Sequence, residues 1–341
     1  RLFEGFLKIR LKICYHEKPS KSIGGGIALN AAVLAPTLEM DRKEWLKQRR
    51  KGIGGSDASV VLGLNKYKTP FELWLEKTGQ STSDDAGEAA YFGKLLEDLV
   101  AKEFERRSGK KVRRNNFMLQ HPDYPFITAN IDRKVVGEQA LLECKTASVF
   151  LTDDWEGEKV PASYLAQVQH YLGVTGYKHA YIAVLIGGQR FIWKEIERDD
   201  ELIEMIFDEE IKFWKNHVEA NVPPTLDGSS AAEQFLKERY KETDPGKIVD
   251  LSFESKEKLD RLQQINSQIK SLQDQKREIE NSNKSELKDA ETGFVQGYEV
   301  NWKPITSNRL DTRLLRKEKP EIYEKYVKQS TYRRFNVKEI D

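Results

Sequence analysis

Residues 127–146 run Ile-Thr-Ala-Asn-Ile-Asp-Arg-Lys-Val-Val-Gly-Glu-Gln-Ala-Leu-Leu-Glu-Cys-Lys-Thr. Two strand-like stretches, Ile127–Val136 and Ala140–Thr146, flank Gly137-Glu138-Gln139 and so read as a β-hairpin. Side chains alternate along a strand. Glu143 and Lys145 therefore share one face, about 6–7 Å apart, while Cys144 points the other way with its backbone carbonyl near the polar face. If Glu138-Gln139 form a two-residue turn, Val136 pairs with Leu141 and Asp132 falls opposite Lys145, with Glu143 its diagonal neighbour on the same face. A three-residue turn would shift the pairing by one and part Asp132 from Glu143. Leu141-Leu142 leads straight into Glu143, which favours a mostly buried strand where unpaired charge is costly. The competing reading is three ordinary polar residues on a wetted sheet.

Upstream of this hairpin a helix is expected over Asp41–Arg50, followed by the turn-rich Lys51-Gly-Ile-Gly-Gly-Ser56. A short helix follows over Asp57–Leu64, and another begins at Pro70 with Thr69 as its N-cap. After a polar loop at 79–88, a long helix spans about Glu88–Ser108. Downstream come a helix over Pro161–Gly173, strands at Ala180–Ile186 and Phe191–Ile196, and an amphipathic helix over Asp199–Ala220. Pro223-Pro224 and Gly228-Ser-Ser mark a linker. Beyond it Leu262, Ile265, Ile269, Leu272 and Ile279 recur at heptad-like spacing, as in a helical hairpin or coiled coil. A strand pair and a terminal helix close the chain. The division is thus an arm at 1–40, a core at 41–222, a helical segment at 223–291 and a basic β/α segment at 292–341.

The 341 residues suffice for one sizeable core plus an appendage. With 56 basic and 55 acidic residues, any nucleic-acid-binding surface must be local. Cys14 and Cys144 cannot build a disulfide framework or a cysteine-rich metal site, which fits a reducing cytoplasm. The apolar stretch Ile27–Ala35 is too short to span a bilayer, and residues 1–30 lack a clean signal-peptide core, so no membrane partner is expected.

Four further groups carry candidate chemistry. Glu97 shares an apolar helix stripe with Gly93, Val100, Ala101 and Phe104, so it needs a partner: a metal ion, or a lysine or arginine from elsewhere. Tyr164, Gln167, His170 and Tyr171 fall on one helix face opposite Leu165, Val168 and Leu172. Gln167 can bond a phosphate oxygen or the attacking water, or can be a surface glutamine between half-buried tyrosines. Arg49-Arg50-Lys51 beside the glycines and Ser56 suits a phosphate, although the stretch lacks the ending of a P-loop and Ser56 can equally be a helix cap. Between Lys303 and Lys338, eleven Lys or Arg face four Asp or Glu, interleaved with Trp302, Tyr323, Tyr326, Tyr332 and Phe335. That mixture suits DNA contact through Arg333 and Arg334, or a terminal helix packed on the core.

These pieces occur in a recognisable order. Trp45-x-x-x-Arg49, Gly-Ile-Gly-Gly-Ser56-Asp57-Ala58 and Thr69-Pro70-Phe-Glu-Leu-Trp74 are followed by Gly93-x-x-x-Glu97, Asp132, Glu143-Cys144-Lys145 and Ala166-Gln167-Val168-Gln169. The set resembles the YqaJ-type viral recombinases, phage exonucleases related to lambda exonuclease within the PD-(D/E)xK nucleases. It covers about residues 41–220. Asn130-Ile131-Asp132 stands in place of the proline-aspartate of the superfamily's name, and minimal members lack the extension after 222.

The resemblance implies an α/β, restriction-endonuclease-like fold: a mixed β-sheet flanked by helices, here with a C-terminal helical extension. It implies a 5′→3′ exonuclease acting on double-stranded DNA ends. Asp132, Glu143 and the Cys144 carbonyl would hold Mg²⁺ or Mn²⁺, two ions per site. Lys145 would orient or activate the water, Glu97 and Gln167 would complete the site, and Arg49 and Ser56 would receive a 5′-phosphate. It further implies a homo-oligomer such as a ring-like trimer, and a single-strand annealing protein of the RecT type as partner. The alternatives are an endonuclease or nickase on the same fold, or a non-catalytic DNA-binding or assembly module.

Overall fold

A computed structural model describes residues 31–80, 87–328 and 333–339. Cys14, Tyr332 and residues 1–30 of the arm lie outside the described residues. The chain divides into two compact units, one up to Phe235 and one from Leu236 onward.

The first unit holds two sheets. In one the strand order is β1(Ala32–Pro36), β4(Phe117–Gln120), β5(Ile127–Ala129) and β2(Ile53–Gly54). In the other it is β3(Val112–Arg114), β6(Arg133–Val135), β7(Ala140–Ala147), β8(His179–Ile186) and β9(Arg190–Glu197). β2 runs parallel to β5 and β7 parallel to β8; the other pairings are antiparallel. The sheets are mixed and carry helices, an α/β fold as expected.

The single strand expected over Ile127–Val136 is two strands in different sheets. β5 ends at Ala129, β6 begins at Arg133, and Asn130-Ile131-Asp132 carries the chain between them. Ile131 is buried, so the crossing is anchored and Asp132 is held at the junction. The hairpin register also differs from the two-residue-turn reading. Arg133 pairs with Leu142 and Lys134 with Leu141, which continues to Asp132 opposite Glu143. Val136 and Gln139 join the connection, with Gly137 at φ +85° as its turning residue. A slip of two residues preserves facing, so Asp132 and Glu143 remain on one side.

The helices of this unit follow their sequence signals closely. α1(Arg42–Arg50) starts at an Asp41 cap, and α2(Gly55–Val61) is fastened by Asp57 accepting from Gly54 N–H at 3.1 Å. α3(Pro70–Lys77) carries a capping box between Thr69 and Glu72. α4(Gly87–Ser108) packs Val100, Ala101 and Phe104 on the face of β7 that presents Ala140, Leu142 and Cys144. α5(Ala162–Thr175) departs from its amphipathic reading: every residue from Leu165 to Thr175 is buried, including Gln167 and His170. It is clasped by the core on one side and by α6(Asp200–Phe213) through Ile203 and Phe207 against Gly173 on the other. A turn of π-helix, Trp214–Glu219, continues α6. α7(Ser230–Arg239) brings the Phe235 ring onto Phe71 and Trp74, so the compact unit extends past Val222.

The second unit contains α8(Phe253–Leu287), one continuous helix of 35 residues with none buried. The heptad-spaced residues lie along it, so the hairpin alternative does not apply. A two-stranded ribbon, β10(Thr292–Val295) with β11(Tyr298–Asn301), and helices α9(Thr312–Glu318) and α10(Pro320–Tyr326) follow. Among the described residues no helix is long and apolar enough to cross a membrane.

Candidate active site

β7 delivers Glu143 and Lys145 to the face covered by α5, as strand alternation requires. Glu143 is only 3% exposed. Its Oε1 meets Lys145 Nζ at 2.7 Å and accepts from Gln167 Nε2 at 2.6 Å, whereas its Oε2 is buried without a hydrogen-bond partner. Lys145 Nζ also donates to Gln167 Oε1 at 2.9 Å and stands 5.0 Å above the Tyr164 ring. Asp132, brought in by the sheet crossing, accepts from Cys144 N–H through Oδ2 at 2.9 Å. Asp132, Glu143, Lys145 and Gln167 thus converge, and the surface-glutamine reading of Gln167 falls because α5 is buried all round.

Electrostatics make this cluster deficient in positive charge. Burial, then the neighbouring Glu143 and Glu97, hold the Asp132 carboxyl well above the ordinary range. Burial also raises Glu143, although Lys145 opposes it. Burial works against the Lys145 ammonium, but Glu143 and Asp132 outweigh it and keep the lysine charged. The Cys144 thiol is pushed well up by burial and by Asp132, so it stays protonated and packs with Val100 and Phe104.

Glu97 is not turned directly into the cluster. Arg133 grips it through Nη1 and grips Asp98 through Nη2 at 2.5 Å. The arginine partner anticipated as one alternative is therefore present, and it comes from the residue beside Asp132.

A second cluster gathers around the glycine turn. Arg49 Nη2 donates to Ser56 Oγ at 2.7 Å and to Asp57 Oδ1 at 3.0 Å. Lys77 Nζ donates to Asp57 Oδ2 at 2.7 Å and to the Arg49 carbonyl at 3.0 Å. Burial alone would raise the Asp57 pKa, yet Lys77 and Arg49 drive it far below the usual carboxylate range. Asp57 and Lys77 were missed as members of this cluster. Lys77 looks like an ordinary basic residue in a last helical turn, and only the tertiary fold shows its ammonium to be buried. Arg333 and Arg334 belong to the second unit, where Arg333 Nη1 donates to the Tyr240 carbonyl at 3.0 Å and both side chains are exposed.

A model of the YqaJ-like viral recombinase domain matches residues 44–178. The YqaJ protein of Bacillus subtilis (strain 168) is 58% identical over 313 residues, which cover 91% of this chain and 98% of that protein. The chain belongs to the YqaJ-like viral recombinase family. Among solved structures it is similar to an alkaline exonuclease from Laribacter hongkongensis, at 20% identity and a TM-score of 0.44, over 58% of this chain and 98% of that one. It is also similar to a phage-related exonuclease from Haemophilus somnus 129PT, at 17% identity and a TM-score of 0.42, over 50% of this chain and 95% of that one.

For this YqaJ-family chain the donor chemistry can be tested against a divalent cation. Among the described residues no three of His, Cys, Asp and Glu converge as a ready metal cluster, and Glu97 is paired with Arg133. Two observations nevertheless fit a hard cation. Glu143 Oε2 is a buried oxygen with nothing to bond, and the Asp132 carboxyl beside it is made a weaker acid by the same burial and crowding. A positive charge placed between them would relieve both.

Proposed function

We propose that the chain is a metal-dependent deoxyribonuclease of the recombination type, degrading one strand of duplex DNA 5′→3′ from its ends. The observation that carries this reading is the pairing of a cation-deficient carboxylate cluster with a neighbouring cation-rich pocket inside one compact unit. Asp132, Glu143 and the Cys144 carbonyl would hold Mg²⁺ or Mn²⁺, as two ions. When bound, the ions would shield the phosphate and lower the pKa of the attacking water. Lys145, kept charged by Glu143, orients that water and faces the phosphate oxygens. Gln167 holds Lys145 and Glu143 in register through both ends of its amide. Arg49, steadied by Asp57, points a guanidinium at a terminal phosphate, with the Ser56 hydroxyl beside it. Glu97 keeps Arg133 fixed next to Asp132.

A homo-oligomer, such as a ring-like trimer, and a RecT-type annealing partner that receives the single strand complete the proposal. The test is a duplex labelled at one 5′ end, incubated with Mg²⁺ or with EDTA. Stepwise, Mg²⁺-dependent loss of the 5′-ended strand is expected. Discrete internal cuts would replace the exonuclease by an endonuclease, and no cutting would leave only binding.

A further inference from the structure

Helix α5 reaches both clusters with side chains three and four residues apart. Gln167 bonds Glu143 and Lys145. One turn later the Tyr171 ring presses on the glycine turn: a Cβ on Gly55 would sit 2.4 Å from Tyr171 Cε1 and 2.8 Å from Cζ. The Tyr171 hydroxyl accepts from Gln167 Nε2 at 3.1 Å, so a single side chain spans from the carboxylate cluster to the Arg49 pocket. His170, wholly buried, supports the floor of the same turn. Its Nε2 donates to the Thr128 carbonyl at 2.8 Å, and Thr128 Oγ1 donates to the Ile53 carbonyl at 3.2 Å. Glu210 of α6, also wholly buried, fixes the imidazole through Nδ1 at 2.8 Å.

From these contacts we infer that α5 is a spacer. Tyr171 and His170 are positioning residues that set how far the Arg49–Ser56 pocket stands from Asp132 and Glu143, and thereby fix the length of the product released at each cut. The inference rests on the nuclease reading above. A strand whose terminal phosphate sits in the pocket presents to the carboxylates the phosphodiester lying one spacer-length away. A buried aromatic ring packed against a glycine is nearly incompressible, so it selects one bond. Neither residue needs to touch DNA for this.

The experiment uses the full chain with Mg²⁺ and 5′-³²P-labelled duplex, products being resolved by length. One length should dominate in the wild type. Tyr171→Phe retains the ring and should retain that length. Tyr171→Leu and Gly55→Ala change the spacer, so release of the wild-type product should fall about 10²-fold and other lengths should become comparable to it. Should Gly55→Ala fail to fold, Tyr171→Leu still reports, as does the double variant in which the smaller side chain admits the Ala methyl. If the wild type gives one length and every folded variant keeps it at reduced rate, the spacer is overturned while the nuclease reading stands. If the wild type cuts nothing, both fall.

Discussion

Asp57 and Glu143 are both almost fully buried carboxylates in the same unit, yet they are treated in opposite ways. Asp57 has two cations, Arg49 and Lys77, and its acidity is strengthened. Glu143 shares one lysine with Asp132, and both carboxyls are weakened as acids. With every group ionised, the first cluster therefore carries one positive charge too many and the second one negative charge too many. Buried net charge is costly and persists where a ligand of opposite sign repays it. Under the proposed function an anion would answer the charge at the glycine turn and a cation that at the hairpin, as cutting near a phosphorylated end would require.

The sharpest way to break the contrast is to remove the deficit. Glu143→Ala should abolish Mg²⁺-dependent digestion with the fold intact, because it relieves carboxylate crowding. Lys145→Ala should slow single-turnover cutting on the order of 10²–10⁴-fold while Mg²⁺ binding, followed by calorimetry, persists. Full activity in Glu143→Ala would sink the site.

Asp57→Ala tests the opposite pole. It strands Lys77 and Arg49 without their shared anion, so urea unfolding should show a loss of about 3–5 kcal/mol. A loss under 1 kcal/mol would mean that Asp57 is not the keystone of that cluster. Arg49→Ala acts on the ligand instead. Without a charge-assisted bond of about 1.5–3 kcal/mol, the preference for phosphorylated over hydroxyl 5′ ends should shrink about 10–100-fold. Equal rates on both ends in the wild type would leave Ser56 as a simple helix cap.

The smallest effect is on stability against pH. The carboxyls of Asp132 and Glu143 titrate above their unfolded values, so the folded ion-free protein binds more protons than the unfolded chain between the two. The contribution of these two carboxyls to the stability of the ion-free form is thus fully present at and below the ordinary carboxylate range and is lost as pH rises through the raised values. Asp132→Asn should flatten that decline in EDTA, and Mg²⁺ should offset it in the wild type. A melting temperature indifferent to Asp132→Asn from acid to neutral pH would contradict the crowding.

Much of the hairpin chemistry is legible because strand alternation is local: Glu143 and Lys145 must share a face whatever the turn does. Asp132 was reached through a turn of the wrong length, and survived because the slip was even. The break between β5 and β6 was not legible, since no glycine or proline interrupts Ile127–Val136 and only the competition of two sheets divides it. The Gln167 face was readable as a face but not as a buried one, because Leu165, Val168 and Leu172 already satisfy an amphipathic pattern. Lys77 with Asp57 and His170 with Glu210 lie 20 and 40 residues apart and leave no periodic trace. Arg133, adjacent to Asp132, was hidden because its guanidinium runs back to α4.

β1 has a consequence for anyone who handles the protein. It pairs with β4 through a bulge between Val33 and Ala35 and forms the outer rim of the sheet that carries the glycine turn. A fragment trimmed to begin at Asp41, where the helical signals start, would leave the apolar Phe117-Met-Leu-Gln120 strand with a bare row of amides and carbonyls. Such a rim recruits strands from other molecules. The few residues ahead of the core thus cover the β4 edge, and cloning boundaries drawn from motif positions alone would uncover it.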